Sequence, residues 1–203
     1  MNNAGQRDKH RWRAELSARR AEVTAPVREA EAAALAAAAT RLAADLAAGD
    51  WVAAYVPVGG EPGSTAMLDA LRAAGARVLL PVTGPPGPLE WAEYTGTGAL
   101  RRARYGLLEP AGDRMPPAAI ESARVILVPA LAVDRRGVRL GRGAGYYDRT
   151  LPAAHPDARL IVVVRDDELV DRLPEEPHDR RMGWVLTPGG GLRRLGGATG
   201  NQS

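Results

Sequence analysis

Two stretches, RVILVPA at 124–130 and RLIVVV at 159–164, are apolar without alternation. A strand of that kind has no solvent face, so both of its faces must be covered by other elements. WVAAYVP at 51–57, RVLLP at 77–81, LEWAEY at 89–94 and WVLT at 184–187 are further short β-branched or aromatic runs. Between them lie stretches with helical punctuation, such as STAMLDALRAAG, where Ser64 can cap the start and Gly75 can close the end. Strands alternating with helices predict an α/β fold with a mostly parallel sheet flanked by helices.

The first fifty residues predict a helical hairpin ahead of the sheet. One helix is expected from about Lys9 to Val23, with Asp8 as its N-cap. Thr24 can cap the second, Pro26 suits its first turn, and Gly49 suits its stop. Gly/Pro clusters mark the loops, and no internal repeat or interdomain linker interrupts the pattern. With 203 residues, the chain is expected to form a single three-layer domain over residues 1–203. Residues 1–7 and the glycine-rich end from about 190 to 203 are expected to be flexible.

There is no phenylalanine and no cysteine. The core must come from Ala, Val, Leu and Ile, and the missing cysteine excludes disulfides, thiolate metal sites and a cysteine nucleophile. The formal charge is +3, nearly all its basic groups being arginine. Those arginines are interleaved with acids, as in RDDELVDRLPEE, which argues against an arginine-rich RNA-binding module and any nucleic-acid partner. The polar N-terminus and the lack of a long apolar stretch predict a cytoplasmic protein with no membrane partner. Lys9 is the sole lysine: it marks a site that needs a compact ammonium, or stands by chance on a solvated helix.

The loops that could carry chemistry follow strands, where open α/β sheets place their ligands. VGGEPGST follows WVAAYVP, and DRRGVRLGRGAGYYDR follows RVILVPALAV. In the latter, Gly141, Gly143 and Gly145 let backbone N–H groups approach an anion. Arg142 and Arg149 can bond phosphate oxygens, and Asp148 is the kind of hard ligand that Mg²⁺ takes beside phosphates. The pattern suggests a nucleotide phosphate site. A tight turn into a helix with two core tyrosines is the alternative. Asp134 reads as the start of a turn that Gly137 completes.

Taken whole, VPALAVDRRGVRLGRGAGYYDRTL, Val128 to Leu151, resembles the 5-formyltetrahydrofolate cyclo-ligases, also called methenyltetrahydrofolate synthetases. The resemblance extends from Lys9 to Thr187. It implies cyclisation of 5-formyltetrahydrofolate to 5,10-methenyltetrahydrofolate with ATP and Mg²⁺. The formyl oxygen is phosphorylated, N10 attacks the activated carbon, and ADP and phosphate are released.

By the same resemblance, Lys9 and Arg13 would reach ATP from one helical face. Gly141, Arg142, Gly143, Ala144, Gly145, Tyr146, Tyr147, Asp148 and Arg149 would wrap the nucleotide, with Arg142, Tyr147 and Arg149 as catalytic groups. Val56, Glu61 and Tyr105 would border the folate, together with Arg142, Gly143, Gly145 and Tyr146; Thr65 follows Glu61 as in the family. Asp148, and Asp179 of PEEPHD, are the implied Mg²⁺ ligands, with His178 structural. Gly183 stands where many relatives carry a further aspartate. A monomer acting on a small molecule is expected. The rival reading is a relative that keeps the ATP fold and acts on another substrate or has lost the cyclisation; residue by residue, the alternatives are a solvent-facing loop carboxylate for Glu61, a strand-end residue covering the core for Tyr105, and an ordinary charged helix face for Lys9 and Arg13.

Overall fold

The computed structural model describes residues 3–82, 84, 87–103, 106–176 and 179–196, with side chains from residue 8 onward. Its main sheet has seven strands in the order β12-β11-β9-β6-β1-β2-β3. They are β1 (Trp51–Ala53), β2 (Arg77–Val82), β3 (Glu90–Tyr94), β6 (Ala123–Pro129), β9 (Arg159–Val163), β11 (Trp184–Thr187) and β12 (Gly191–Arg194). The five inner strands run parallel, and β3 and β12 close the two edges antiparallel.

The apolar runs that open the sequence sit at the centre of this sheet, and their side chains divide strictly between two cores. Val125, Leu127, Ile161 and Val163 point to one face, where they meet Leu35, Leu42, Met67 and Leu71 from α2 (Ala25–Ala43) and α3 (Thr65–Ala73). Ile126, Val128 and Val162 point to the other and pack on Ile120 and Leu151 from short helical turns. Period-two alternation with both faces buried is what non-alternating apolar sequence requires.

Chain order reverses at β1. The chain moves from β1 to β2 on one side and later lays β6, β9 and β11 on the other. The carboxyl ends of β1 and β6 therefore flank a crevice, the switch point at which α/β sheets take ligands.

The first helix, α1 (Asn3–Glu22), starts well before the expected Lys9, so Asp8 lies inside it rather than capping it. Thr24 and Ser64 occupy the cap positions of α2 and α3 without a capping side-chain bond. The second helix ends at Ala43, short of Gly49. The two arms of the N-terminal hairpin rest on different sheets. While α2 lies on the main sheet, Leu16 and Trp12 of α1 pack on Leu131, Val138, Leu140 and Leu173. These surround a small sheet of β7 (Ala132–Asp134), β8 (Arg139–Leu140) and β10 (Leu169–Val170). Asp134 begins the expected turn, accepting at its backbone carbonyl from Gly137, and its buried carboxylate also receives the N–H groups of Arg136 and Val138.

The glycine-rich C-terminal stretch departs from the expected frayed tail. Gly191–Arg194 pair with β11, and the preceding turn is held by Asp166, which accepts from Gly189 N, Gly190 N and Thr187 Oγ1 at 2.8, 2.8 and 2.6 Å. An edge strand needs little apolar content, so its sequence carries no strand pattern.

Few apolar residues lie on α1, and a row of cations seats it instead. Arg20 donates from Nε and Nη2 to Glu168 at 2.6 and 2.8 Å and from Nη2 to the Ala130 carbonyl at 2.6 Å. Both side chains of this pair are only 4% exposed. Arg20→Ala is expected to lower stability by about 3–5 kcal/mol, because it strips Glu168 of its two-pronged partner. Urea denaturation should also show that Arg20→Met combined with Glu168→Leu recovers most of the loss.

Candidate active site

A cavity of about 730 Å³ occupies the crevice at the carboxyl ends of β1 and β6. Tyr55 and Val56 line it after β1, Pro81 and Val82 at the end of β2, and Pro129 and Ala130 where β6 ends. Helix α1 contributes Lys9 and Arg13, and the glycine loop contributes every residue from Arg139 to Asp148. Leu107, Leu108 and Glu109 come from the hairpin of β4 (Leu100–Arg102) and β5 (Leu108–Pro110). Glu61, Glu176 and Asp179 complete the polar wall.

The structure thus brings together Lys9, Arg13, Val56, Glu61, Gly141, Arg142, Gly143, Ala144, Gly145, Tyr146, Tyr147, Asp148 and Asp179. Tyr105 and His178 lie outside the described residues. Arg149 stands behind the wall: it donates to the carbonyls of Ala144 and Gly87 at 2.8 and 3.2 Å and lies over the Tyr146 ring, 5.5 Å from its centroid. Thr65 lines a smaller neighbouring cavity that shares Val56, Glu61 and Leu108 with the main one.

Gly141 and Gly145 leave room for arginines, while at Gly143 a Cβ would make only ordinary contact with one. A Cβ at Gly141 would stand 3.0 Å from Arg139 Nη1, one at Gly143 would stand 3.5 Å from Arg13 Cζ, and one at Gly145 would stand 2.9 Å from Arg149 Nη1. Gly143 and Gly145 also take φ of +103° and +68°, a region costly for other residues. Arg13 secures the loop further, its Nε donating to the Gly141 carbonyl at 3.0 Å. The alternate glycines therefore pack cations against the loop as well as opening its backbone.

Lys9, 7% exposed, donates to Glu176 Oε2 at 2.8 Å and to Asp179 Oδ2 at 2.9 Å. Burial pulls its pKa down, but these two hydrogen bonds outweigh that and raise it above the ordinary lysine value. The uniqueness of Lys9 thus coincides with a buried, doubly paired ammonium. Asp179 also accepts from Glu176 N at 2.8 Å, which fixes its carboxylate.

On the opposite side, Asp148 pairs with Arg139, which also lies under the Tyr147 ring at 5.8 Å from its centroid. Tyr147 Oη and Arg139 Nε are buried and meet no partner among the described residues. Burial, reinforced by the charge of Glu61 and opposed by Arg139, pushes the Tyr147 hydroxyl well above the usual tyrosine value. It is a hydrogen-bond donor at every ordinary pH.

Glu61 sits at the tip of the loop after β1, its Oε2 accepting from Val58 N at 3.0 Å. Burial lifts its carboxyl above the ordinary value, against the pull of the Val58 N–H and of Arg142. Tyr55 steadies that loop by donating to the Pro62 carbonyl at 2.8 Å. Sequence reasoning missed Tyr55, Arg139 and Glu176. Arg139 opens the very motif that drew notice, and Glu176 lies three residues before Asp179, so both were within reach of the motif's flanks.

Among the described residues, no three His, Cys, Asp or Glu side chains converge on a point that could cage a metal. Asp148 and Asp179, each already paired with a cation, line the cavity; Mg²⁺ commonly takes one or two carboxylates and draws its remaining ligands from phosphates and water. No helix of the described residues is long and apolar enough to cross a membrane.

Comparison with known proteins agrees with this geometry. The profile of the 5-formyltetrahydrofolate cyclo-ligase family matches residues 5–188. The 5-formyltetrahydrofolate cyclo-ligase of Mycolicibacterium smegmatis is 52% identical over 194 residues, covering 93% of this chain and 98% of the relative. The Escherichia coli enzyme of the same name is 34% identical over 140 residues, covering 68% and 77%. The fold matches that of the Aquifex aeolicus 5,10-methenyltetrahydrofolate synthetase with a TM-score of 0.72 at 23% identity, covering 96% of each chain. The chain belongs to the 5-formyltetrahydrofolate cyclo-ligase family.

Proposed function

We propose that the chain catalyses the ATP- and Mg²⁺-dependent cyclisation of 5-formyltetrahydrofolate to 5,10-methenyltetrahydrofolate, releasing ADP and phosphate, as a cytoplasmic monomer. The observation that carries this reading is the single cavity shared by a cationic wall and a buried carboxylate–tyrosine wall.

Lys9, Arg13 and Arg142 are the groups for the triphosphate. They stand on two elements that meet only through tertiary folding, which suits a reaction needing alignment and charge stabilisation more than covalent help. Asp148 and Asp179 would hold Mg²⁺, which when bound neutralises phosphate charge. Arg139 and Lys9 orient these carboxylates. Arg149 acts on the reaction by bracing the loop at Ala144 and Tyr146.

Val56, Glu61, Tyr146 and Tyr147 form the folate side, with the apolar surface of Leu89, Leu107 and Leu108 facing them across the cavity. Glu61 is an acceptor for a folate N–H, and the Tyr147 hydroxyl is a donor for an oxygen. Excluding water here protects the activated formyl carbon until N10 attacks it.

Incubation of the full chain with 5-formyltetrahydrofolate, ATP and Mg²⁺ should give the absorbance of 5,10-methenyltetrahydrofolate, and omission of ATP should abolish it; no ATP-dependent product would overturn the reading. Lys9→Ala is expected to raise the KM for ATP by about 10–100-fold, the worth of a charged hydrogen bond, with far less effect on the KM for folate. Asp148→Asn should raise the Mg²⁺ concentration needed for half-maximal turnover and lower kcat, as measured by titrating Mg²⁺ at saturating ATP.

A further inference from the structure

The side chains assigned to the two substrates are bonded to one another. Arg142, on the phosphate side, places its Nε 3.0 Å from Glu61 Oε1, on the folate side. Its Nη2 donates to the Val58 carbonyl at 3.1 Å. With Val58 N on Oε2, both carboxylate oxygens of Glu61 are engaged before any substrate arrives.

The partners differ in freedom. The Glu61 side chain is 7% exposed, and its loop is tied down by Tyr55 at Pro62 and by Arg165 Nη1, which donates to the Gly60 carbonyl at 2.7 Å. The Arg142 side chain is 51% exposed and is carried on the loop whose Gly143 and Gly145 take positive φ. An exposed guanidinium can turn to another anion at little cost, but a buried carboxylate left without its cation is strongly disfavoured.

We propose that Glu61 governs the binding of both substrates, holding Arg142 off the triphosphate until the folate supplies a replacement donor. This rests on the cyclo-ligase reading above. When ATP binds alone, Arg142 must either stay on Glu61 or leave a buried charge unpaired. When folate donates an N–H to Glu61 Oε1, Arg142 is released toward the phosphates. Each substrate thus tightens the other by the same factor, as linkage demands. The consequence is that the phosphate-binding groups are complete only when a folate occupies the neighbouring site.

Calorimetry with two unreactive probes tests this: β,γ-methylene-ATP with Mg²⁺, and 5-methyltetrahydrofolate, which has no formyl oxygen. In the wild-type protein each probe should lower the Kd of the other by about tenfold, within the usual range of coupling between sites. Glu61→Gln should bind the ATP analogue alone more tightly than the wild type does, although the change lies on the folate side. Arg142→Ala should bind 5-methyltetrahydrofolate alone about as well as the wild type does with the analogue present. In both variants the coupling should collapse. Independent binding of the two probes to the wild type, or a Glu61→Gln variant whose analogue affinity is no higher, overturns the proposal and leaves the cyclo-ligase reading standing. Failure of the wild type to bind either probe overturns both.

Discussion

The site depends on Glu168. This buried carboxylate receives the Arg20 guanidinium and also the backbone N–H of Arg165 at 2.7 Å. Arg20 comes from α1 and fixes the Ala130 carbonyl at the end of β6. Arg165 follows β9, pairs with Glu31 of α2 at 2.9 Å, and fixes the Gly60 carbonyl beside Glu61. One acidic side chain therefore couples both N-terminal helices to both loops of the crevice. Buried ion pairs of this kind contribute little net stability against an apolar substitute, but they tolerate few alternative arrangements. What the pair supplies is placement of α1, and with α1 the positions of Lys9 and Arg13.

The same logic explains why α1 can serve the site at all. A helix seated by a broad apolar stripe would offer the cavity only leucine and alanine. Here the inward face runs Lys9, Arg13, Leu16, Arg20, so the residues that anchor the helix are of the type that recognise anions. Arg20 is spent on structure, Arg13 is shared between the Gly141 carbonyl and the cavity, and Lys9 is paired with Glu176 and Asp179 in the cavity wall.

Legibility in the sequence followed physical cause. The inner strands were readable because burial on both faces leaves an unmistakable apolar run, as in RVILVPA. The glycine loop was readable because its backbone conformation and its packing against arginines admit few residue types. The small sheet of β7, β8 and β10 left little trace, since strands of two or three residues are too short to show a period. Edge strand β12 was hidden by its glycine and arginine content, its order coming from the turn at Asp166. Arg20, Glu168 and Arg165 looked like members of a solvated charge pattern. Nothing local distinguishes a buried arginine from an exposed one, and their partners stand 148 and 134 residues away in the chain.

The choice of arginine over lysine around the glycine loop has a bearing on how the protein responds to its surroundings. Arg13, Arg139, Arg142 and Arg149 surround the loop with guanidinium groups, each a planar fork of several donors. They hold acceptors of the protein itself, at Gly141, Ala144, Asp148 and Glu61. Burial has lifted the proton affinity of Glu61, so acidification acts on its bond to Arg142. The link between the glycine loop and the loop after β1 is thereby sensitive to protons.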